Sequence, residues 1–175
     1  MSRGLGDVYK RQIQDTALSI TAFDSTLIES LNLRNQEDLQ NYIPATTIQP
    51  YDISIRGIGR MFRALGGDPG VGTYVDGAYS VDFGIASTDN GLYDVERIEI
   101  LRGPQGTLYG RNSIGGAVNF ITTKPSQDFA AEIRTLVGSY GMAEGYGFIN
   151  GGLTDNISAR LIVVNRSRDG VIEDL

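Results

Sequence analysis

Apolar and polar residues alternate along several separate stretches of the chain, which is the spacing of strands with one buried face. The first such stretch is Asp15–Phe23, and the alternation returns at Ile53–Ile55. Between them, Asp24-Ser25-Thr26 supplies capping oxygens for one short helix, with Thr26 and Glu29 as a capping box, and a second helix is expected to begin near Asn35. Pro44 should end the second helix, because the residue before a proline avoids the helical conformation. The pattern therefore predicts a strand, two short helices and a return to strands.

The middle of the chain combines strand patterns with long glycine-rich loops. Three strands are expected here, at Val71–Val75, Arg97–Arg102 and Ala117–Thr123. Asp76-Gly77 is a two-residue hairpin signal directly after the first of them. The loops are expected at residues 57–70 and 78–91, and a helical turn at Tyr93–Glu96. The strand that follows this turn is expected to have one apolar and one polar face.

The last part of the chain alternates most regularly. From Phe129 to Val137 every second residue shares one mainly apolar face, and strand-length segments follow at 142–153 and 157–168. Alternating segments of about ten residues joined by short turns are a weak signature of an outer-membrane β-barrel. An antiparallel meander in a soluble protein has a similar pattern. The alternation by itself leaves both interpretations open and favours the soluble one.

Composition excludes several functions. The chain has 175 residues and a formal net charge of −6, whereas a free-standing nucleic-acid binder is usually basic. Histidine and cysteine are absent, which removes disulfides, Cys/His metal sites, histidine general bases and cysteine nucleophiles. The 23 glycines imply tight turns and close backbone approaches. Neither an enzyme nor a nucleic-acid partner is therefore expected.

Three arrangements imitate sites without meeting their requirements. Gly67–Thr73 has the outline of a phosphate-binding loop, but Thr73 stands where the lysine that contacts the phosphates is needed. Glu96 and Glu99 would point to opposite faces of a strand, so they are poor candidates for an acid/base pair. A calcium loop needs ligands at fixed alternate positions. The scattered carboxylates do not match that spacing: Asp76, Asp82, Asp89 and Asp94. No cofactor or metal is expected.

Three arginines stand out because each lies beside a glycine: Arg56, Arg102 and Arg111. An arginine at the end of a strand, next to a flexible residue, can present its planar guanidinium to carboxylates. For any single one of them, a solvated surface position is the alternative.

One segment carries a family resemblance. Asp94–Pro125, with the sequence DVERIEILRGPQGTLYGRNSIGGAVNFITTKP, is similar almost residue for residue to the signature of the plug domain of TonB-dependent outer-membrane receptors. Upstream, Ile53–Gly59 (ISIRGIG) resembles the IRG element of that family. Gly72–Tyr79 (GTYVDGAY) resembles its hairpin, and Ile20–Pro44 resembles its opening strand and helices.

The resemblance implies an α+β fold, in which a small mixed-sheet plug domain is followed by the first antiparallel strands of a truncated outer-membrane β-barrel. The plug would span residues 13–124, with a sheet of roughly four strands, and an incomplete barrel would begin in residues 125–175. Residues 1–12 would be an extraneous or disordered arm. Barrels of this family have about 22 strands, which cannot fit into residues 125–175. The chain is therefore expected to be a fragment.

The resemblance also implies a function. Such receptors bind a scarce nutrient, for example an iron-siderophore complex, and admit it to the periplasm by energy-coupled movement of the plug. The implied partners are the energy-coupling protein TonB, the extracellular ligand and, through the full barrel, the lipid of the outer membrane. Neither the family's TonB-coupling box nor a signal peptide is visible, and Ser2–Gln12 occupies the place of the box. A free-standing soluble binding module without a barrel is the alternative.

Two sets of residues receive roles from the resemblance. Arg56 and Arg102, of the IRG and LRGP elements, would lock the plug to carboxylates of the barrel wall. The loops at 57–70 and 78–91 would face outward and touch the substrate. The side chains there that suit an anionic or aromatic ligand are Arg60, Arg63, Tyr79 and Phe83.

Overall fold

The computed structural model describes residues 19–49, 52–60, 69–80 and 91–170. The chain divides into two compact units, with the boundary between Thr122 and Thr123. They are called the N-terminal unit and the C-terminal unit below. The expectations for residues 1–12, for the start of the first strand and for most of the two long loops lie outside the described residues.

Within those ranges the N-terminal unit consists of short strands and three short helical segments. Its elements are β1 (Ser19–Asp24), α1 (Ser25–Ser30), a 3-10 helix (Gln36–Asn41), β2 (Thr46–Gln49), β3 (Asp52–Ile55), β4 (Val71–Val75), β5 (Ala78–Tyr79), β6 (Val95–Arg102), α2 (Gly106–Tyr109) and β7 (Gly116–Thr122). The elements of the C-terminal unit are β8 (Ala130–Gly138), β9 (Met142–Thr154) and β10 (Ile157–Ser167).

Five strands of the N-terminal unit form one mixed sheet in the order β1-β6-β7-β4-β5. β4 and β7 run parallel, with Val71 opposite Gly116, and the other neighbouring pairs are antiparallel. The sheet has one strand more than the roughly four expected, because the Asp76-Gly77 turn adds β5 as an edge strand. β2 and β3 form a separate two-stranded sheet. β2 was not expected. It forms because a left-handed residue, Ala45 (φ 55°), returns the chain to extended structure immediately after Pro44.

Both expected helices are present in short forms. α1 is capped by Asp24, the first of the three predicted capping residues, whose Oδ1 accepts a hydrogen bond from the Leu27 N–H at 2.8 Å. The second helix is a 3-10 helix, and its first turn is closed by Asn35 and Asp38 in a capping box. Both helices therefore begin at capping residues that the sequence indicated, Asp24 and Asn35.

The expected helical turn at Tyr93–Glu96 is wrong. Asp94 is left-handed (φ 55°), and β6 begins directly after it at Val95. The expected polar face of this strand is also buried, because β6 lies between β1 and β7 in the sheet. Glu99 on that face is only 3% exposed, and it accepts a hydrogen bond from Arg97 Nε at 2.8 Å.

The core of the N-terminal unit covers both faces of this sheet. One face carries the larger apolar cluster, which includes Ile98 and Ile100 of β6 and residues from α1, the 3-10 helix and the β2–β3 sheet. The other face carries Leu101 and Ala117 with Tyr74. Covering on both sides explains why four consecutive residues of β6, 98–101, are buried despite their alternating polarity.

The C-terminal unit is a three-stranded antiparallel sheet in the order β10-β9-β8. One of its faces is apolar and exposed. The exposed side chains of that face include Phe129, Ile133, Val137, Ile149, Leu161 and Val163. The opposite face carries charge: Arg134 donates to Glu132, and Arg166 lies 3.7 Å from Glu144. No helix in the described ranges is long and apolar enough to span a bilayer.

Candidate functional site

Gly116 lies close to Ile55 and Leu101, the residues that directly precede the two arginines proposed for the lock. A methyl group added at Gly116 would overlap the carbonyl oxygen of Leu101 and would lie 3.0 Å from Ile55 Cδ1. Arg102 directly follows Leu101 in the chain. Arg56 directly follows Ile55. Gly116 permits this close approach of Leu101 and Ile55 because it has no side chain.

Arg56 projects from a constrained turn. Its backbone is left-handed (φ 53°), a conformation that few residues other than glycine adopt. Its N–H donates to the Ala45 carbonyl at 2.7 Å, and Ile55 and Ile58 exchange two hydrogen bonds of 3.0 Å across the turn. The residue is exposed. A guanidinium in this position can reach an anionic group outside the unit.

Arg102 ends β6 and is half-buried. Its Nε is enclosed by protein, and none of the described residues accepts a hydrogen bond from it. Gly103 (φ 108°) then turns the chain, and its N–H donates to the Gly115 carbonyl at 2.9 Å. A guanidinium stays charged and carries five donors in a fixed plane. The Arg102 guanidinium can therefore donate hydrogen bonds to an acceptor from outside the unit, and a carboxylate fits its planar donors best.

Three glycine-rich segments meet around Ile58. A methyl group at Gly70 would lie 2.9 Å from both the Gly59 carbonyl oxygen and Ile58 Cγ2. One at Gly115 would lie 2.9 Å from Ile58 Cβ. The Gly115 N–H also donates to the Gly70 carbonyl at 2.8 Å. The base of the 57–70 loop is thus fixed against residues 103–115, which are called the β6–β7 loop below.

Arg60 lies beside this junction and is half-buried. Its backbone N–H donates to both carboxylate oxygens of Asp52, at 3.0 and 3.3 Å. Arg63 and Phe83 lie outside the described residues. Of the four side chains expected to touch the substrate, the structure therefore describes Arg60 and Tyr79.

Three tyrosines pack together on the second face of the five-stranded sheet. The ring of Tyr74 lies 5.5 Å from that of Tyr79 and 4.7 Å from that of Tyr109, both in tilted arrangements that aromatic pairs favour. The Tyr74 hydroxyl donates to the Tyr109 carbonyl at 2.7 Å. Burial raises the pKa of Tyr74 above its ordinary value of 10.0, and the neighbouring Tyr79 raises it further. The cluster joins the β4–β5 hairpin to helix α2.

Asn112 makes a second connection between that hairpin and the β6–β7 loop. Its Nδ2 donates to the Tyr79 hydroxyl oxygen at 2.9 Å. Asn112 is 8% exposed and left-handed (φ 68°), a conformation that asparagine tolerates better than most residues. The next residue, Ser113, is buried, and its hydroxyl donates to the Gly110 carbonyl at 2.7 Å.

The tip of the hairpin is held by the end of β7. The Asp76 carboxylate accepts hydrogen bonds from the Thr122 N–H at 2.9 Å and from its hydroxyl at 2.7 Å. The Gly77 N–H donates to Asn119 Oδ1 at 3.2 Å. The Asp76-Gly77 turn signal indicated the hairpin but not this contact of Asp76 with β7.

Tyr74, Tyr109 and Asn112 were not among the predicted site residues either. The pairing of Tyr74 with Tyr79 could have been derived, because a two-residue turn at Asp76-Gly77 places positions 74 and 79 opposite each other. The contact of Asn112 with Tyr79 joins residues 33 positions apart, and no local pattern signals it. Within the described residues, no group of three or more carboxylates converges as a metal site.

The match to a known family covers most of the N-terminal unit. Residues 12–117 match the family model of the TonB-dependent Receptor Plug Domain. The chain belongs to this family. The close approach at Gly116 and the tyrosine cluster lie within the matched residues, so both are features of a plug domain. This agrees with the resemblance carried by Asp94–Pro125.

The curated relatives of this plug-domain chain include an outer-membrane virulence protein and a siderophore receptor. It is 29% identical over 181 residues to the iron-regulated outer membrane virulence protein of Vibrio cholerae serotype O1, covering 92% of the chain and 26% of that relative. It is 26% identical over 159 residues to the catecholate siderophore receptor Fiu of Escherichia coli K12, covering 89% of the chain and 20% of that relative. The chain thus spans about a quarter or less of the length of these relatives.

Solved structures of receptors share the fold. The ferric yersiniabactin uptake receptor FyuA of Yersinia pestis is 28% identical with a TM-score of 0.69, and the match covers 83% of the chain and 24% of that receptor. The alcaligin outer-membrane receptor FauA of Bordetella pertussis is 25% identical with a TM-score of 0.72, and the match covers 89% and 27%. The expected mixed-sheet plug followed by antiparallel strands is confirmed. The relatives also confirm the expected outer-membrane location.

Proposed function

We propose that the chain contributes the plug domain and the first membrane strands of a receptor that binds an iron-siderophore complex and admits it to the periplasm by TonB-coupled movement of the plug. The observation that carries the proposal is a plug domain followed directly by a sheet with one exposed apolar face. The ligand class is supported by the relatives, whose names include ferric yersiniabactin uptake and a catecholate siderophore.

The two faces of the C-terminal unit suit a membrane wall. Ile133 is 85% exposed on the apolar face, and in a barrel wall that face would contact hydrocarbon. The opposite face, with the Glu132–Arg134 and Glu144–Arg166 pairs, would face a hydrated interior. Strands in lipid need all their backbone groups paired, which only a closed sheet provides. A free-standing soluble module would instead leave the apolar face in water.

The lock assigned to Arg56 and Arg102 suits a plug that must be held and then released. Each arginine directly follows a residue that packs against Gly116, so one region of the barrel wall could pair with both. Ion pairs that stay partly hydrated can be exchanged at modest cost, about 0–1 kcal/mol each. The lock would therefore hold the plug in register without making its movement prohibitively costly.

The ligand contacts assigned to Arg60 and Tyr79 suit an anionic, oxygen-rich complex. A guanidinium forms charge-assisted hydrogen bonds with carboxylate or catecholate oxygens. A phenol adds a hydrogen-bond donor and an aromatic surface. Arg63 and Phe83 are proposed for the same contact, on the 57–70 and 78–91 loops.

Transport is tested with the whole receptor that contains this chain, expressed in a Gram-negative host without its own siderophore receptors. In iron-limited medium we expect at least one ferric siderophore of a catecholate, hydroxamate and carboxylate panel to restore growth, and an otherwise identical host without TonB to stay starved. Arg60→Ala and Tyr79→Phe should weaken binding of that siderophore by about tenfold, while the exposed Tyr42→Phe should not. Uptake of cobalamin or an oligosaccharide, with none of the panel used, would contradict the ligand class.

The lock is tested by permeability. The double variant Arg56→Ala, Arg102→Ala should loosen the plug and make cells carrying the whole receptor more sensitive to a large antibiotic that normally cannot pass the outer membrane. Arg111→Ala is the control, because Arg111 also lies beside a glycine, is exposed like Arg56, and has no assigned role. Equal sensitivity of the double variant and the control would contradict the lock.

A further inference from the structure

Asn112 connects the β4–β5 hairpin, which is proposed to contact the ligand, with the β6–β7 loop, which begins at the proposed lock. Tyr79 closes β5 and is proposed to contact the ligand. The β6–β7 loop, which contains Asn112, begins directly after Arg102, a proposed lock residue. The hydrogen bond from Asn112 Nδ2 to the Tyr79 hydroxyl, 2.9 Å long, joins the two.

We propose that this hydrogen bond couples ligand contact to the lock. Asn112 orients the Tyr79 hydroxyl, and displacement of Tyr79 by a ligand shifts Asn112, the β6–β7 loop and, at the start of that loop, Arg102. Asn112 is thus a positioning residue that acts through Tyr79. The inference rests on the proposed ligand contact of Tyr79. It adds a route by which ligand binding at Tyr79 changes the position of Arg102, a residue proposed to pair with the barrel.

The direction of the hydrogen bond also indicates what Tyr79 can recognise. A phenol hydroxyl has one donor and accepts through its oxygen. Because the oxygen accepts the Asn112 amide N–H, the hydroxyl proton is directed elsewhere, and none of the described residues accepts it. The ligand atom opposite Tyr79 is therefore an acceptor oxygen, as in catecholate, hydroxamate or carboxylate groups.

The β6–β7 loop is braced internally, so a displacement at Asn112 would move it as a unit. The Gln105 N–H donates to the Ser113 carbonyl at 2.8 Å, and the Gly103 N–H donates to the Gly115 carbonyl at 2.9 Å. The Ser113 hydroxyl bonds to the Gly110 carbonyl. These bonds tie the residues around Asn112 to both ends of the loop. Contiguous hydrogen bonds of this kind carry energetic coupling between sites.

Tyr74 provides a second, parallel link. Its ring lies between those of Tyr79 and Tyr109, and its hydroxyl donates to the Tyr109 carbonyl within the same loop. This link depends on packing of the rings, whereas the Asn112 link depends on one polar contact. Removing only the Tyr79 hydroxyl therefore isolates the Asn112 link and leaves the ring contacts in place.

The coupling is tested without any ligand, by amide hydrogen exchange of the full 175-residue chain in detergent. Tyr79→Phe should accelerate exchange of the Gln105 and Gly110 amides by about three- to tenfold, the effect of losing one hydrogen bond. Asn112→Gly removes the amide group but keeps the left-handed backbone available. It should accelerate exchange of the Ser80 amide, which donates to the Thr73 carbonyl at 2.9 Å, by a similar factor.

A rescue variant separates a specific contact from general loosening. Asn112→Asp replaces the amide donor with a carboxylate that can accept the Tyr79 proton, which keeps the contact with its direction reversed, so exchange at Ser80 should stay within about twofold of wild type. Combined with Tyr79→Phe, this rescue should disappear. Tyr42→Phe, an exposed tyrosine outside the cluster, should leave all these amides unchanged.

Two results would overturn the coupling. One is unchanged exchange in the β6–β7 loop of Tyr79→Phe. The other is a uniform acceleration that includes the central strand amides of β6, since this would show general destabilisation of the plug. Because no siderophore is present, either result leaves the transport proposal standing. Failure of the siderophore panel, in turn, would leave the exchange result intact.

Discussion

Strands β6 and β8 both alternate apolar and polar residues, yet their surroundings are opposite. β6 is the second strand of a five-stranded sheet and is covered on both faces, so that even Glu99 is buried. β8 is an edge strand of a three-stranded sheet, and its Ile133 and Val137 are exposed. Alternation therefore tells which residues share a face. It does not tell whether that face meets protein, lipid or water.

The largest expected contrast comes from truncating one isoleucine in each unit. Ile100→Ala, at a side chain 1% exposed, should lower the free energy of unfolding of the N-terminal unit by about 2–5 kcal/mol, because it leaves a cavity. Ile133→Ala should change the stability of the C-terminal unit in detergent by less than about 0.5 kcal/mol. Denaturant titrations of the 175-residue chain, followed by circular dichroism, compare the two. Similar losses would mean that both sheets have a packed core.

A pair of glycines sharpens the same contrast. Gly116→Ala should destabilise the N-terminal unit by about 3 kcal/mol, because its backbone (φ 153°) and the nearby Leu101 carbonyl both exclude a side chain. Gly145→Ala is the matched change in β9, where nothing lies within 4 Å of an added methyl group, and it should cause no loss. Thermal unfolding of both variants measures the difference. A tolerated Gly116→Ala would argue against the close approach of β7 to Leu101.

One buried polar residue of the C-terminal unit, Asn150, holds the segment before β8 by hydrogen bonds. Within residues 123–170, Asn150 is buried, accepts from the Ser126 N–H at 3.2 Å and donates to the Asp128 carbonyl at 2.8 Å. Asn150→Ala should cost about 1–2 kcal/mol locally, because those backbone groups lose their partner. Faster amide exchange at Ser126 is the expected readout. The exposed Asn165→Ala should leave that amide unchanged, and the same result for Asn150→Ala would contradict the anchoring role.

The smallest expected effect is a pH dependence of the N-terminal unit. Burial raises the pKa of Tyr74, so the folded unit holds the phenol proton more tightly than the unfolded chain does. The stabilisation from this neutral phenol is fully present below about pH 10 and is lost as the pH rises through the folded-state pKa. Tyr74→Phe should therefore show a shallower loss of stability between about pH 9 and pH 11 than wild type.

Denaturant titrations at several alkaline pH values measure this slope. Tyr42→Phe serves as the control, because Tyr42 is exposed and should leave the slope unchanged. If Tyr74→Phe and wild type lost stability in parallel, the Tyr74 phenol would not be the group that titrates differently on folding.

Local sequence determined a large part of this protein. Alternation placed the strands at Arg97–Arg102 and in the C-terminal unit, because side chains on a strand alternate between faces whatever lies beyond them. The Asp76-Gly77 turn determined the β4–β5 hairpin, because two residues of this type favour a tight reversal. The Asp94–Pro125 signature identified the plug family. These features depend on residues close together in the chain.

Tertiary structure alone decided the rest, because it depends on neighbours far apart in sequence. The burial of Glu99 follows from β6 lying between β1 and β7, which no window around residue 99 reveals. The pairing of β4 with β7 brings Val71 opposite Gly116. The contact of Asn112 with Tyr79 exists only because that pairing sets the β6–β7 loop beside the hairpin. Each of these contacts closes a long loop, and its free energy comes from the assembled sheet rather than from the local chain.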